Sequence, residues 1–130
     1  MEATYFDKNK FKMKDLELIF DDNENVLEGI QKAMYEHTIS KAEVIGFEGK
    51  IRNISINYFQ KSSMKNIQII ESKEVVKAKG EFQLDFTRNT IFGRVRIMYK
   101  DMGKTFEGIL VKAKAVDGLK ITLRYLETVE

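Results

Sequence analysis

"IFGRVRIMYKDMGKTFEGIL", residues 91–110, is the stretch that decides the fold. Over 91–99 the apolar residues Ile91, Val95, Ile97 and Tyr99 recur at even spacing. A repeat of two is the signature of an extended strand with one buried face. The opposite face then holds Phe92, Arg94, Arg96, Met98 and Lys100. Its two arginines project together, roughly 6–7 Å apart. "KDMGK" supplies a Gly-containing turn, so "TFEGILVKAKAV" returns antiparallel. The expectation is a paired ribbon with odd-numbered side chains inward and the guanidinium groups turned away.

Toward the C-terminus, Asp117-Gly118 is a strong two-residue hairpin signal. It leads into "LKITLRYL", which places Leu119, Ile121, Leu123 and Tyr125 on a buried face. Toward the N-terminus, "TRNT" is a turn, and "EVVKAKGEFQLDF" alternates with Phe82, Leu84 and Phe86. "IQIIES" reads as a strand and "KSSMKN" as a polar loop. "IRNISINYF" is a strand with Ile54, Ile56 and Tyr58 on one side, separated by the turn "EGK" from the short strand "KAEVIGF". "FKMKDLELIF" mixes charged and apolar residues as an outer strand does. Only "DDNENVLEGIQKAMYEHT" has helical spacing, with Val26, Leu27, Ile30, Ala33 and Met34 in one stripe. Asp22 or Asn23 suits its N-cap. The pattern predicts one main helix over residues 23–38. The class is α+β: a largely antiparallel or mixed sheet of about seven or eight strands with helix cover.

A chain of 130 residues with 43% apolar content can bury a real core, and we read residues 1–130 as a single domain. Lys plus Arg number 22 against 20 Asp plus Glu, a near balance that argues against a dedicated nucleic-acid binder. There is no cysteine, which excludes disulfides, thiolate nucleophiles and Cys-ligated metals. The start "MEATYFDKNK" has no signal-peptide core, and no apolar run reaches the ~20 residues of a membrane span. The expectation is a cytoplasmic protein without a membrane partner.

Motifs for chemistry are few. Gly103-Lys104-Thr105 resembles the tail of a phosphate-binding loop, but the earlier glycine is replaced by Met98 and no helix follows. Asp21, Asn23 and Asn25 match the start of a calcium loop, yet Val26 and Lys32 stand where Gly and a bidentate Glu are needed. His37, the sole histidine, falls near the apolar stripe at the helix end and reads as partly buried against the last carbonyls. Asp85 and Glu107 are candidate acids near the arginines. Arg52, Arg88, Arg94, Arg96 and Arg124 could reach phosphates, with Tyr5, Tyr35 and Tyr58 as stacking faces.

From about Asp15 to Glu127 the chain resembles the PPC (plants and prokaryotes conserved) domain family. The matching stretches are "LELIFDDNENVLEGIQKAM", "ISKAEVIGFEGKIRNISINYF", "KEVVKAKGEF" and "GRVRIMYKDMGKTFEGILVKAKAVDGLKITLRYLE", in the family's order. The resemblance implies a compact domain assembling as a homotrimer, similar in fold to acetolactate decarboxylase, a zinc enzyme. Plant members carry an AT-hook that binds DNA, and prokaryotic ones are single-domain predicted DNA-binding proteins. Many members have a His-x-His strand followed by Gly-Gly-His-Leu. Here the first pair falls on Arg94 and Arg96, and the second motif is Glu107-Gly108-Ile109-Leu110. The AT-hook core requires proline, and the chain has none.

These readings give a homotrimeric binding or regulatory module without catalysis, cofactor or metal. Arg94, Arg96 and Glu107 form the expected anion or interface site, with His37 and Asp85 as neighbours. Arg94 and Arg96 are expected to meet Glu107 or Asp85 of an adjacent subunit, or a small anion. The alternatives are a DNA-associated protein held by phosphate contacts and, last, a metal-dependent enzyme resembling acetolactate decarboxylase.

Overall fold

One strand organises the molecule. In the computed structural model, which describes residues 11–128, β2 runs without interruption over Lys41–Gln60. The other elements are β1 (Phe11–Ile19), α1 (Val26–Glu36), β3 (Ser63–Ile69), β4 (Lys73–Asp85), β5 (Thr90–Asp101), β6 (Lys104–Ala115) and β7 (Lys120–Thr128). The start of the sequence and Tyr5 lie outside the described residues.

Each edge of β2 serves two partners end to end. On one edge β7 pairs with Glu43–Glu48 and β6 with Ile51–Asn57. On the other, β4 pairs with Lys41–Ile51 and β3 with Ile54–Gln60. β5 bridges β4 and β6, so β2, β4, β5 and β6 close on themselves. Closure hides edges that would otherwise recruit other chains. β1 extends the sheet beyond β7. Every pairing is antiparallel.

Alternation built the core. Val95, Ile97 and Tyr99 of β5 are buried, as are Leu119, Ile121 and Leu123, with Ile54 and Ile56 from β2. Helix α1 adds Val26, Ile30, Ala33 and Met34 and covers β6 and β4. Each fully buried aliphatic side chain contributes about 1.5–3 kcal/mol of transfer free energy.

The structure changes several sequence expectations. The turn placed at "EGK" does not form: Gly49 stays in the ladder opposite Val75, at φ +129. A Cβ there would sit 3.2 Å from the Leu119 Cα, so glycine lets the chain pass the β6–β7 corner. The "KSSMKN" loop shrinks to a turn at Lys61-Ser62, and β3 begins at Ser63. Asp117-Gly118 does turn the chain, with Gly118 at φ +87, but β6 and β7 do not pair with each other. Both bond to β2 in succession, so the corner shifts the chain along one edge.

The helix is shorter than 23–38. Asn25, not Asp22 or Asn23, caps it by accepting from the Glu28 N–H at 3.3 Å. Asn23 has a left-handed φ of 69, and Asp22 accepts from Arg52 and from the Asp117 N–H. His37 ends the helix at φ −95, ψ 6, and its side chain is exposed, not partly buried. The wheel that put it in the stripe stops one residue earlier.

Candidate functional site

Strand β5 turns Arg94 and Arg96 outward, as its alternation requires, with Phe92 and Lys100 exposed and Met98 half-buried beside them. The β4–β5 hairpin, closed by Asp85 opposite Thr90, fixes their neighbours. Glu81 stands directly opposite Arg94, and Lys79 opposite Arg96. The row continues across the sheet. Glu81 faces Glu43 on β2, Glu43 faces Arg124 on β7, and Arg124 faces Asp15 on β1.

Most charges in this row are neutralised. Arg124 donates to both carboxylate oxygens of Asp15, at 2.9 and 3.2 Å. That bond holds the Asp15 carboxyl below its ordinary range and raises the Arg124 guanidinium. Lys41 binds Glu81 at 2.8 Å, which raises the Lys41 ammonium. Arg96 donates to Glu107 at 2.9 Å within the same chain. Among the described residues, Arg94 and Lys79 have no ion pair. They border an open cleft of about 460 Å³ with Glu43, Glu81, Arg96, Gly80 and Gly93. The β4 and β5 backbones approach closely beneath it. A Cβ on Gly80 would lie 2.3 Å from the Arg94 carbonyl oxygen, and one on Gly93 2.1 Å from that of Glu81.

The expected residues divide. Arg94, Arg96 and Glu107 share one face. Asp85 does not join them: its carboxylate accepts from the Thr87 and Arg88 N–H groups, at 3.0 and 3.3 Å, and ties the hairpin turn. His37 lies at the end of α1 and lines no part of the cleft. Sequence reasoning missed Glu43, Lys79 and Glu81. The "TRNT" turn could have found two of them, since closing Asp85 on Thr90 places Glu81 opposite Arg94 and Lys79 opposite Arg96. Glu43 comes from a distant strand, and no local signal points to it.

A free guanidinium with a nearby ammonium suits an oxyanion, because its planar N–H groups can meet two oxygens at once. A divalent cation does not fit. Two arginines and Ile109 occupy the positions where the resemblance places histidines, and the Glu107 carboxylate is held by Arg96. Among the described residues, no three His, Asp or Glu side chains converge in a way that could hold a metal.

The Plants and Prokaryotes Conserved (PCC) domain model matches residues 9–126. The chain belongs to the PCC domain family. Solved structures share this PCC fold at low identity. A metal-containing protein of Archaeoglobus fulgidus is 18% identical with a TM-score of 0.75, over 92% of this chain and 84% of that one. A plant- and prokaryote-conserved protein of Pyrococcus horikoshii is 21% identical with a TM-score of 0.74, over 96% and 87%. A Bacteroides thetaiotaomicron protein named for a proposed DNA-binding role is 11% identical with a TM-score of 0.64, over 89% and 84%. No curated protein matches this PCC chain.

Proposed function

We propose that this PCC domain is a non-catalytic binding or regulatory module that assembles as a cytoplasmic homotrimer and takes a small anion beside Arg94. One observation carries the anion reading: the carboxylate facing Arg94, that of Glu81, is bonded to Lys41 instead. Arg94 therefore keeps its donors for a ligand, with Lys79 on the neighbouring strand. The trimer is supported by the family resemblance and by the apolar company of the arginines. Phe92 is 54% exposed, and Met98 and Ile109 are half-buried on the same face, so a covering subunit would remove apolar surface from water.

Two measurements test this. Light scattering should give three times the chain mass. Sulfate or phosphate should raise the melting temperature of the native protein, and Arg94→Ala should remove that rise. A monomeric mass ends the trimer reading, and a melting temperature indifferent to both anions ends the anion reading.

A second reading, association with DNA through phosphate contacts, draws on the same unpaired cations. Of the arginines expected to reach phosphates, Arg52, Arg96 and Arg124 are already held by Asp22, Glu107 and Asp15. That leaves Arg88 and Arg94 with surface lysines, which ranks this reading second. It requires an affinity that falls steeply with salt.

A further inference from the structure

Among the described residues, β1 pairs only with β7 and β3 only with β2, so each leaves a sheet edge open along its length. An open edge is a template for another strand, and proteins commonly blunt it with charge. β1 is blunted by Lys12, Lys14, Asp15 and Glu17. β3, "SMKNIQI", carries Lys65 alone, with neither proline nor a break in its register. Its Met64 is 50% exposed and Ile67 39%, and Ile70 just beyond is 78% exposed.

The edge is preformed. Lys61 and Ser62 both have left-handed φ, and Gln60 faces Ser63, which makes a two-residue hairpin. In such a ladder alternate residues turn their backbone groups toward the partner strand. Ser63, Lys65, Ile67 and Ile69 then bond to β2, while Met64, Asn66 and Gln68 direct their N–H and C=O groups outward. Asn66 locks this register, since its Nδ2 donates to Ser55 Oγ and Asn57 Oδ1, both at 2.9 Å. Lys61 and Lys65 are exposed and make no ion pair among the described residues.

We propose that the open edge of β3 docks an extended acidic segment of another protein, which adds to the sheet as a further strand. Main-chain bonds to Met64, Asn66 and Gln68 supply affinity, and alternate side chains supply selectivity. On the face of Lys65 and Ile67 the segment presents an acid and an apolar residue in alternation. A second copy of β3 fits less well: antiparallel pairing about Asn66 would make the two Lys65 side chains diagonal neighbours on one face. Nucleic acid has no ladder of alternating donors and acceptors to use such an edge. This site is separate from the Arg94 cleft, so either can fail alone.

The probe is a fluorescein-labelled peptide of repeating Glu-Thr-Val-Thr, about eight residues long, which alternates acid and valine along one face. With the full chain in its native assembly, anisotropy should rise and saturate. Lys61→Glu with Lys65→Glu should weaken binding at least about tenfold. Gln68→Pro, which removes an outward N–H and leaves the β2 ladder intact, should do the same. Arg94→Ala should change nothing. Should Gln68→Pro not fold, amide exchange in the unaltered chain decides: the Met64, Asn66 and Gln68 amides should slow when peptide is added. Absence of peptide binding overturns the proposal, and so does binding that leaves those amides unprotected. It is equally overturned if β3 instead pairs with a second copy, or if an oligonucleotide displaces the peptide from Lys61 and Lys65.

Discussion

Arg94 and Glu81 face each other across β5 and β4, yet the Glu81 carboxylate is bonded to Lys41 at 2.8 Å. Opposed unlike charges on neighbouring strands attract. Here the competing lysine leaves the guanidinium open. Lys41→Ala is therefore expected to release Glu81 to Arg94 and weaken sulfate binding. The check is a melting series in sulfate with Lys41→Ala, Arg94→Ala and the double variant. Equal sulfate responses in Lys41→Ala and the parent chain would refute this competition.

The Arg96–Glu107 pair is expected to add little to stability. Their side chains are 60% and 45% exposed, so water and salt screen the attraction. Exposed pairs contribute about 0.2–1 kcal/mol, and this one belongs at the lower end. A double-mutant cycle with Arg96→Ala and Glu107→Ala, followed by urea unfolding, measures it. A coupling above about 2 kcal/mol would mean that the pair is desolvated in the assembled protein.

Ile97→Ala and Phe92→Ala form a contrasting pair on one strand. Ile97 is wholly buried, and truncation should cost about 2–5 kcal/mol. Phe92 is 54% exposed and should cost below about 1 kcal/mol in an isolated chain. Chemical denaturation gives both numbers. A large Phe92 penalty that appears only at assembling concentrations would place that face under a neighbouring subunit.

Gly93→Ala should destabilise strongly. Gly93 has φ +124, outside the range comfortable for a side chain, and its Cβ would meet the Glu81 carbonyl at 2.1 Å. The cost should exceed about 2 kcal/mol, and thermal unfolding measures it. A neutral effect would show that β4 and β5 can separate there.

Acid should erase the contribution of the Asp15–Arg124 bond. The Asp15 carboxyl is held below its ordinary value of 3.8, chiefly by its hydrogen bond from Arg124. A depressed folded value gives stability that is complete above the unfolded value and fades as the pH falls through the folded one. The stability gap between the parent chain and Asp15→Asn should thus be constant near neutrality and close below about pH 3.8. Urea unfolding across that range checks it. A gap unchanged at low pH would show that the bond does not govern the titration.

By itself the sequence determined which residues of β5 and β7 face the core, but not the extent of β2 and β3. Val95, Ile97 and Tyr99 are buried and Arg94 and Arg96 exposed because side chains alternate along any extended chain. The helical stripe from Val26 to Met34 was equally legible, since its repeat is a property of the backbone. Only the tertiary structure decided which strands become neighbours. Asp117-Gly118 carries the same local signal whether β6 and β7 pair or, as here, share an edge of β2. The "EGK" stretch looked like a turn because glycine between charged residues is a local turn signal, while the ladder that keeps Gly49 in β2 is not local. Glu43 reached the cleft, and Glu81 lost its claim on Arg94, through contacts between residues far apart in the chain. Such contacts depend on hydrogen bonding and charge in three dimensions, for which a single sequence has no local signature.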